Sequence, residues 1–286
     1  MKIQFLGTSA AHSFPLAFCR CTSCTECRKH GGKSLRKRAS LLINNELLID
    51  LGPDFITSCF EYGIDSSKVW LLLQTHYHSD HFSAGQFYTR FKGYAGEDFL
   101  PMKVVASQKT LDGMSRKLTH EGYNGDNQES WGDSLFVKPL PIEAMKSIKV
   151  EGYEVTGFDS RHCARTDAFV FLIKKKGRAI FYGTDLLEFS EEIYNFLIRN
   201  KIQLDLLILD QTYGHGIKGK GHLNADDVCA IVKKLRKHNI LSVKSKVFAT
   251  HLSHEGHHYH EKQNDIAKAN GYEIAYDGLT LHLDEE

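Results

Sequence analysis

The segment Gln74-Thr-His76-Tyr-His78-Ser-Asp80-His81 places three imidazoles and a carboxylate within six residues, directly after the apolar run Val69–Gln74. That run reads as a strand, so the cluster sits at a strand's C-terminal end. Packing His76, His78 and His81 this closely makes protonation unfavourable unless a cation uses their lone pairs. A polar loop with chance histidines accounts poorly for such density. The spacing suits two adjacent metal ions.

Composition points the same way, because 16 of the 286 residues are histidine. With 42% hydrophobic residues the chain can bury a core, which excludes intrinsic disorder. A net charge of +1 argues against a bulk polyanion such as nucleic acid as partner, while leaving room for a local basic patch. No apolar run approaches the roughly 18 residues of a membrane helix, and Met1–Gly7 reads as a first strand rather than a signal peptide. Four of the seven cysteines crowd into Cys19–Cys27, which in a reducing compartment favours metal ligation over disulfides. The expected location is the cytoplasm.

Short β-rich runs alternate with helical patterns. Strands are expected at Ile3–Leu6, Ser40–Ile43, Leu47–Asp50, Val69–Gln74, Lys103–Ala106, Ser147–Val150 and Tyr153–Phe158. Further strands are expected at Ala168–Lys174, Arg178–Tyr182, Leu204–Leu209, Lys246–Thr250, Glu273–Ala275 and Leu279–Leu283. Near-continuous apolar strands such as Leu204–Leu209 imply sheets covered on both faces. The clearest helix is Asn224–His238, with Asn224 as cap and Val228, Ile231, Val232 and Leu235 as one stripe. Other helices are expected at Pro53–Tyr62, His81–Phe91, Gln108–Leu118, Ser190–Asn200 and Glu261–Asn270, and Gly122–Gly132 reads as a surface insertion. The whole chain, 1–286, reads as a single α/β domain with two sheets inside and helices outside.

Two metals need more donors, and strand ends supply them. His162 follows Gly157-Phe-Asp159, Asp185 closes Phe181-Tyr-Gly-Thr-Asp185, and His251 closes Phe248-Ala-Thr-His251. Together with the first cluster they complete the set of a dinuclear hydrolase. The sequence here resembles the metallo-β-lactamase superfamily, whose signature is His-x-His-x-Asp-His followed by distant His, Asp and His. The likeness runs from Leu6-Gly7-Thr8 through Leu48-Ile-Asp50-Leu-Gly52 to His251. It implies an αββα four-layer sandwich, with His76, His78 and His162 on one metal, and Asp80, His81 and His251 on the other. In the same likeness Asp185 bridges the two and Asp50 supports the site from behind.

Cys19-Arg-Cys21-Thr-Ser-Cys24-Thr-Glu-Cys27 narrows the choice, since thiolates so spaced can wrap one zinc tetrahedrally. The fourth ligand is either Cys27 or His254 of Thr250-His251-Leu-Ser-His254. This pairing resembles the PhnP-type phosphodiesterases of phosphonate catabolism, which implies a structural Zn²⁺ on Cys19, Cys21, Cys24 and His254. The same resemblance implies a catalytic role for His222 of Lys220-Gly-His222-Leu-Asn224, against the alternative of a plain helix flank. It further implies two active-site cations, Mn²⁺ or Zn²⁺, and a homodimer. A hydroxide shared by cations about 3.5–4 Å apart would attack phosphorus in a small phosphodiester, cyclic and ribose-like by the resemblance, while His222 assists the departing oxygen.

Rival readings stay in view. A tRNA 3′-processing ribonuclease of the superfamily would use the basic run Arg28–Arg38, more commonly a solvated loop. The PqqB proteins share cysteine-rich zinc elements, but His162 and Asp185 favour a full dinuclear hydrolase. A zinc-stabilised binding module without catalysis would leave the second site incomplete. His257, His258 and His260 are expected in solvent rather than lining the cleft entrance, and His12 and Ser13, which could reach the site from the turn after the first strand, in a plain loop. Cys59 and Cys229 are expected in helix cores, and nothing in the sequence marks Cys163 as acidic.

Overall fold

The computed structural model describes residues 1–94, 96, 99–120 and 131–283. The insertion expected at Gly122–Gly132 lies outside the described residues, apart from Trp131 and Gly132. Among the described residues no helix is long and apolar enough to cross a membrane.

Two seven-stranded sheets lie face to face. The first runs β14 (Thr280–His282), β1 (Lys2–Gly7), β2 (Ser40–Ile43), β3 (Leu47–Ile49), β4 (Leu71–Leu73), β5 (Met102–Ala106) and β6 (Val137–Pro141). The second runs β13 (Glu273–Ile274), β12 (Leu241–Thr250), β11 (Leu204–Asp210), β10 (Arg178–Gly183), β9 (Phe169–Lys175), β8 (Tyr153–Asp159) and β7 (Ser147–Val150). In each sheet four consecutive strands are parallel, β3 to β6 and β10 to β13. Parallel strands are buried on both faces, so stretches such as Leu71–Leu73 carry no polar alternation.

The core between the sheets joins Ile3, Leu41, Ile43 and Leu73 to Val155, Phe171, Ile180 and Ile208. Helices cover the outer faces. On the first sheet lie α2 (Phe55–Tyr62), α3 (Ala84–Tyr88), α4 (Gln108–His120) and α5 (Trp131–Ser134); on the second lie α6 (Glu191–Arg199), α7 (Ala225–Lys237) and α8 (His260–Ala269). The expected αββα sandwich is therefore the fold.

Local chemistry fixes the elements that flank the site. Asn224 and Asp227 form a reciprocal capping box at the start of α7, and Val228, Ile231, Val232 and Leu235 are buried, each worth about 1.5–3 kcal/mol. Ser190 caps α6 in the same sense.

Several expectations are corrected. The helix expected over His81–Phe91 is only Ala84–Tyr88, because Ser83 caps it and His81 is held in the preceding turn. The strand at Val69–Gln74 shrinks to Leu71–Leu73, while β12 starts at Leu241 rather than Lys246. Elements outside the expectation include β6 and a helix over the cysteine run. Strand β6 carries Pro139 and Pro141, tolerated because it is an edge strand. The cysteine run forms α1 (Thr22–His30), capped by the Cys21 sulfur accepting from the Cys24 N–H.

Candidate metal centre

The parallel registers bring the strand ends to one rim. Ile49 pairs with Leu73, Gly183 with Leu209, and Asp210 with Thr250, so Asp50, Thr75, Asp185, Asp210 and His251 emerge side by side. Asp50, Asp185 and His251 hold left-handed backbone, φ 63°, 52° and 61°. Non-glycine residues adopt this region at a cost, which the surrounding hydrogen bonds of the rim offset.

A polar frame fixes each side chain. Buried Asp50 accepts from the Thr75 N–H at 2.8 Å, from the Thr75 hydroxyl at 2.9 Å and from Gln74 Nε2 at 3.0 Å, and its other oxygen lies 2.7 Å from His81 Nδ1. Gln74 Nε2 also donates to the carbonyls of His76 and His81. Across the rim, Asp210 accepts from the Thr212 N–H and hydroxyl at 2.7 Å each, while its second oxygen lies 2.8 Å from His222 Nδ1. Thr212 Oγ1 lies 2.9 Å from His251 Nδ1, and His162 Nδ1 lies 2.8 Å from the Gly221 carbonyl. His81, His162 and His251 thus each have Nδ1 engaged by the frame and Nε2 turned to the centre.

The inward atoms converge. His76 Nε2 and His78 Nδ1 are 2.8 Å apart; Asp185 Oδ2 lies 2.8 Å from His81 Nε2 and 3.1 Å from His251 Nε2, and its Oδ1 lies 3.4 Å from His162 Nε2. His81 Nε2 is 3.0 Å from Asp80 Oδ2. The structure gathers His76, His78 and His162 in one group and Asp80, His81 and His251 in another, with Asp185 between them.

Electrostatics and hydrogen bonding test whether this set fits cations. His81 Nε2, His251 Nε2 and Asp185 Oδ2 are buried and make no hydrogen bond despite their proximity. Burial holds His76 and His78 below the ordinary imidazole value, keeping their lone pairs free. Burial also works against charge on His81, but Asp185, Asp80 and Asp50 outweigh it and hold the imidazole well above its ordinary value. Likewise burial opposes ionisation of Asp80 and Asp185, and the neighbouring histidines overcome it and hold both carboxyls low. Neutral His76 and His78 beside ionised Asp80 and Asp185, with orphaned buried atoms on His81, His251 and Asp185, fit divalent cations such as Zn²⁺ or Mn²⁺.

His222, partly buried, lies 3.8 Å from Asp185 Oδ1. Its desolvation is outweighed by Asp210, which raises its pKa to about 9.

A second group forms nearby. The ligand atoms of Cys19, Cys21, Cys24 and His254 lie within 4.8 Å of one another, with His254 Nδ1 at 3.5 Å from both Cys19 Sγ and Cys21 Sγ. Cys27 stays outside it, buried among apolar residues that push its thiol up to about 11. Of the two candidates for the fourth position, the fold brings His254 to the other three.

Other expectations change. The basic run Arg28–Arg38 divides: Arg28, Lys29 and Lys33 are exposed, as expected of a solvated run, while its last three basic residues are tied into the fold. Arg36 is buried on Thr8, the Ala275 carbonyl and His260, Lys37 pairs with Glu61, and Arg38 holds Asp54 through two nitrogens. His257 and His260 are buried rather than solvated, and burial pulls each to about 3. Burial opposes the Cys163 thiolate, yet the backbone N–H of Arg165 helps bring the thiol below its ordinary value. Cys59 is buried in α2 and Cys229 half-buried in α7, as expected; His12 and Ser13 are exposed. Sequence reasoning missed Asp210, Gln74 and Thr212. The polar run Asp210-Gln-Thr212 after an apolar strand was their one signal.

The family model described as anti-Pycsar protein Apyc1 matches residues 38–268. Among solved structures, the chain is similar to a diphosphatase from the PhnP family, at 20% identity and TM-score 0.71, covering 98% of this chain and 96% of that one. Zn²⁺-bound PqqB from Methylobacterium extorquens is similar at 17% identity and TM-score 0.71, with 99% and 100% covered. The metallo-β-lactamase fold protein YhfI from Bacillus subtilis follows at 17% identity and TM-score 0.67, with 98% and 99% covered. No curated protein matches the chain.

Proposed function

The chain belongs to the anti-Pycsar protein Apyc1 family, and from that premise we propose that it is a metal-dependent phosphodiesterase. Its substrate is a small phosphodiester, cyclic and ribose-like, opened to a monoester. The observation that carries the reading is the convergence of seven donor residues, Asp185 among them, with three buried donor atoms left without hydrogen bonds.

His76, His78 and His162 would hold one divalent cation, Asp80, His81 and His251 the other, and Asp185 both. Such a pair supplies Lewis acidity toward phosphoryl oxygens and lowers the pKa of water. Asp50 at His81, and Thr212 Oγ1 at His251, keep the imidazoles in the tautomer that turns Nε2 inward, with Thr212 itself held by Asp210. His222 donates Nδ1–H to Asp210, which leaves Nε2 to carry a proton to the departing oxygen. Cys19, Cys21, Cys24 and His254 would hold a structural Zn²⁺ with no open position. The same reading makes 1–286 one catalytic unit, working in the cytoplasm.

The test is p-nitrophenol release from bis(p-nitrophenyl) phosphate by protein stripped of metal and reloaded with Mn²⁺, with metal content measured in parallel. Turnover should fall at least about a hundredfold in Asp185→Asn, beyond the loss typical of a supporting residue. An intact diester at full metal loading overturns the assignment.

A further inference from the structure

A cavity of about 210 Å³ opens beside His222, between the dinuclear centre and the cysteine cluster. Its wall includes Phe14 and Tyr213, and polar groups come from Ser253, His12 and Glu255. The Tyr213 ring meets His222 edge-on at 6.2 Å. Among the described residues no lysine or arginine lines the cavity, and Glu255 supplies its one carboxylate. That carboxylate is exposed, accepts from Ser253 Oγ at 3.0 Å, and acts with burial to raise the pKa of Tyr213. The lysine whose charge couples to the centre, Lys117 of α4, belongs to the other sheet's helical layer and is not part of this wall.

Resting on the phosphodiesterase reading, we infer that this cavity receives the organic group on the departing oxygen, and that Glu255 makes it select uncharged or cationic groups over anionic ones. In hydrolysis, water adds its oxygen to phosphorus and the P–O bond to the organic group breaks. The departing oxygen keeps that electron pair and takes a proton, which places its organic group beside His222. An aromatic and apolar wall suits a ring or sugar face. An exposed carboxylate at the cavity wall repels a second phosphate. The favoured class is therefore a diester with one phosphate and a neutral body, rather than a diphosphate or a nucleic-acid strand.

The experiment reads binding without turnover. Phenyl phosphate, 4-carboxyphenyl phosphate and 4-(aminomethyl)phenyl phosphate share one phosphoryl group and differ in the charge of the organic half. Their affinities for Mn²⁺-loaded protein are measured by calorimetry at low salt, each relative to inorganic phosphate. The expected order is aminomethyl, then phenyl, then carboxyphenyl, with about fivefold between neighbours, the upper range for an exposed charge pair. Glu255→Gln should flatten the series and Glu255→Lys reverse it. Equal affinities in the unsubstituted protein, the same order in Glu255→Lys, or no binding of any aryl phosphate overturns the inference. An intact diester in the turnover assay leaves this readout unaffected, so the two failures are told apart.

Discussion

The histidine–aspartate centre and the cysteine cluster both gather groups of ligand atoms that lie within 4.8 Å of one another, but they do so on different foundations. At the centre the donors stand on strand ends of two sheets, and buried partners hold them: Asp50, Gln74 and Thr75 behind one set, Asp210 and Thr212 behind the other. At the cluster the donors come from a loop, the first turn of α1 and the loop after β12, and their contacts are mostly with one another. The thiols there also disagree. The backbone N–H of Cys21 lowers Cys19 to about 7, whereas burial lifts Cys24 to about 12. The fold builds the first site ahead of any ion; at the second, an ion would build the fold.

That contrast makes its strongest claim about stability. Cys24→Ser should cost about 3 kcal/mol or more, a fall of about 10 °C in Tm, with one zinc lost per chain. Cys27→Ala, which removes a buried sulfur outside the cluster, should cost about 1–2 kcal/mol and keep the zinc. Equal zinc loss in both would break the comparison. Calorimetry with metal analysis decides it.

The centre should behave in the opposite way. Asp50→Asn leaves the strands packed but withdraws the partner of His81, so metal affinity or turnover should fall about 10–100-fold. A Tm drop as large as that of Cys24→Ser would show that the centre, too, is a folding element.

Buried histidines outside both sites sharpen the point. His257 is as buried as His81, yet burial and the Arg36 charge hold it at about 3, where the carboxylates hold His81 high. A folded value below the unfolded value of about 6.5 means that neutral His257 stabilises the chain above that pH. The contribution is lost as pH falls from about 6.5 toward 3, by up to about 1.4 kcal/mol per unit. His257→Gln should flatten the fall of the urea midpoint between pH 7 and 5; an unchanged slope assigns the acid sensitivity to other groups.

How much of this was legible in the sequence divides along the same line. The donors His76, His78, Asp80, His81, Asp185 and His251 could be read because the parallel strands before them are uniformly apolar and the donors interrupt them abruptly at the rim. His162, after antiparallel β8, lacks that signal. Asp210 and Thr212 were not read, because a residue that hydrogen-bonds a ligand looks the same in sequence as any loop polar group. Helix α1 was missed because its cap is a cysteine and its nine residues carry little amphipathic pattern. The burial of Arg36, His257 and His260 escaped too, since charge and polarity argue for solvent and only tertiary packing reverses them.

Strand β12 ends at Thr250, and the next four residues carry a donor for each site, His251 and His254. The two sites are thus indexed by one short count of residues. A one-residue insertion or deletion between these histidines would shift one donor out of reach whichever donor stayed put. A scan of single-residue insertions along the chain should find this loop among the least tolerant, though much of it is not buried.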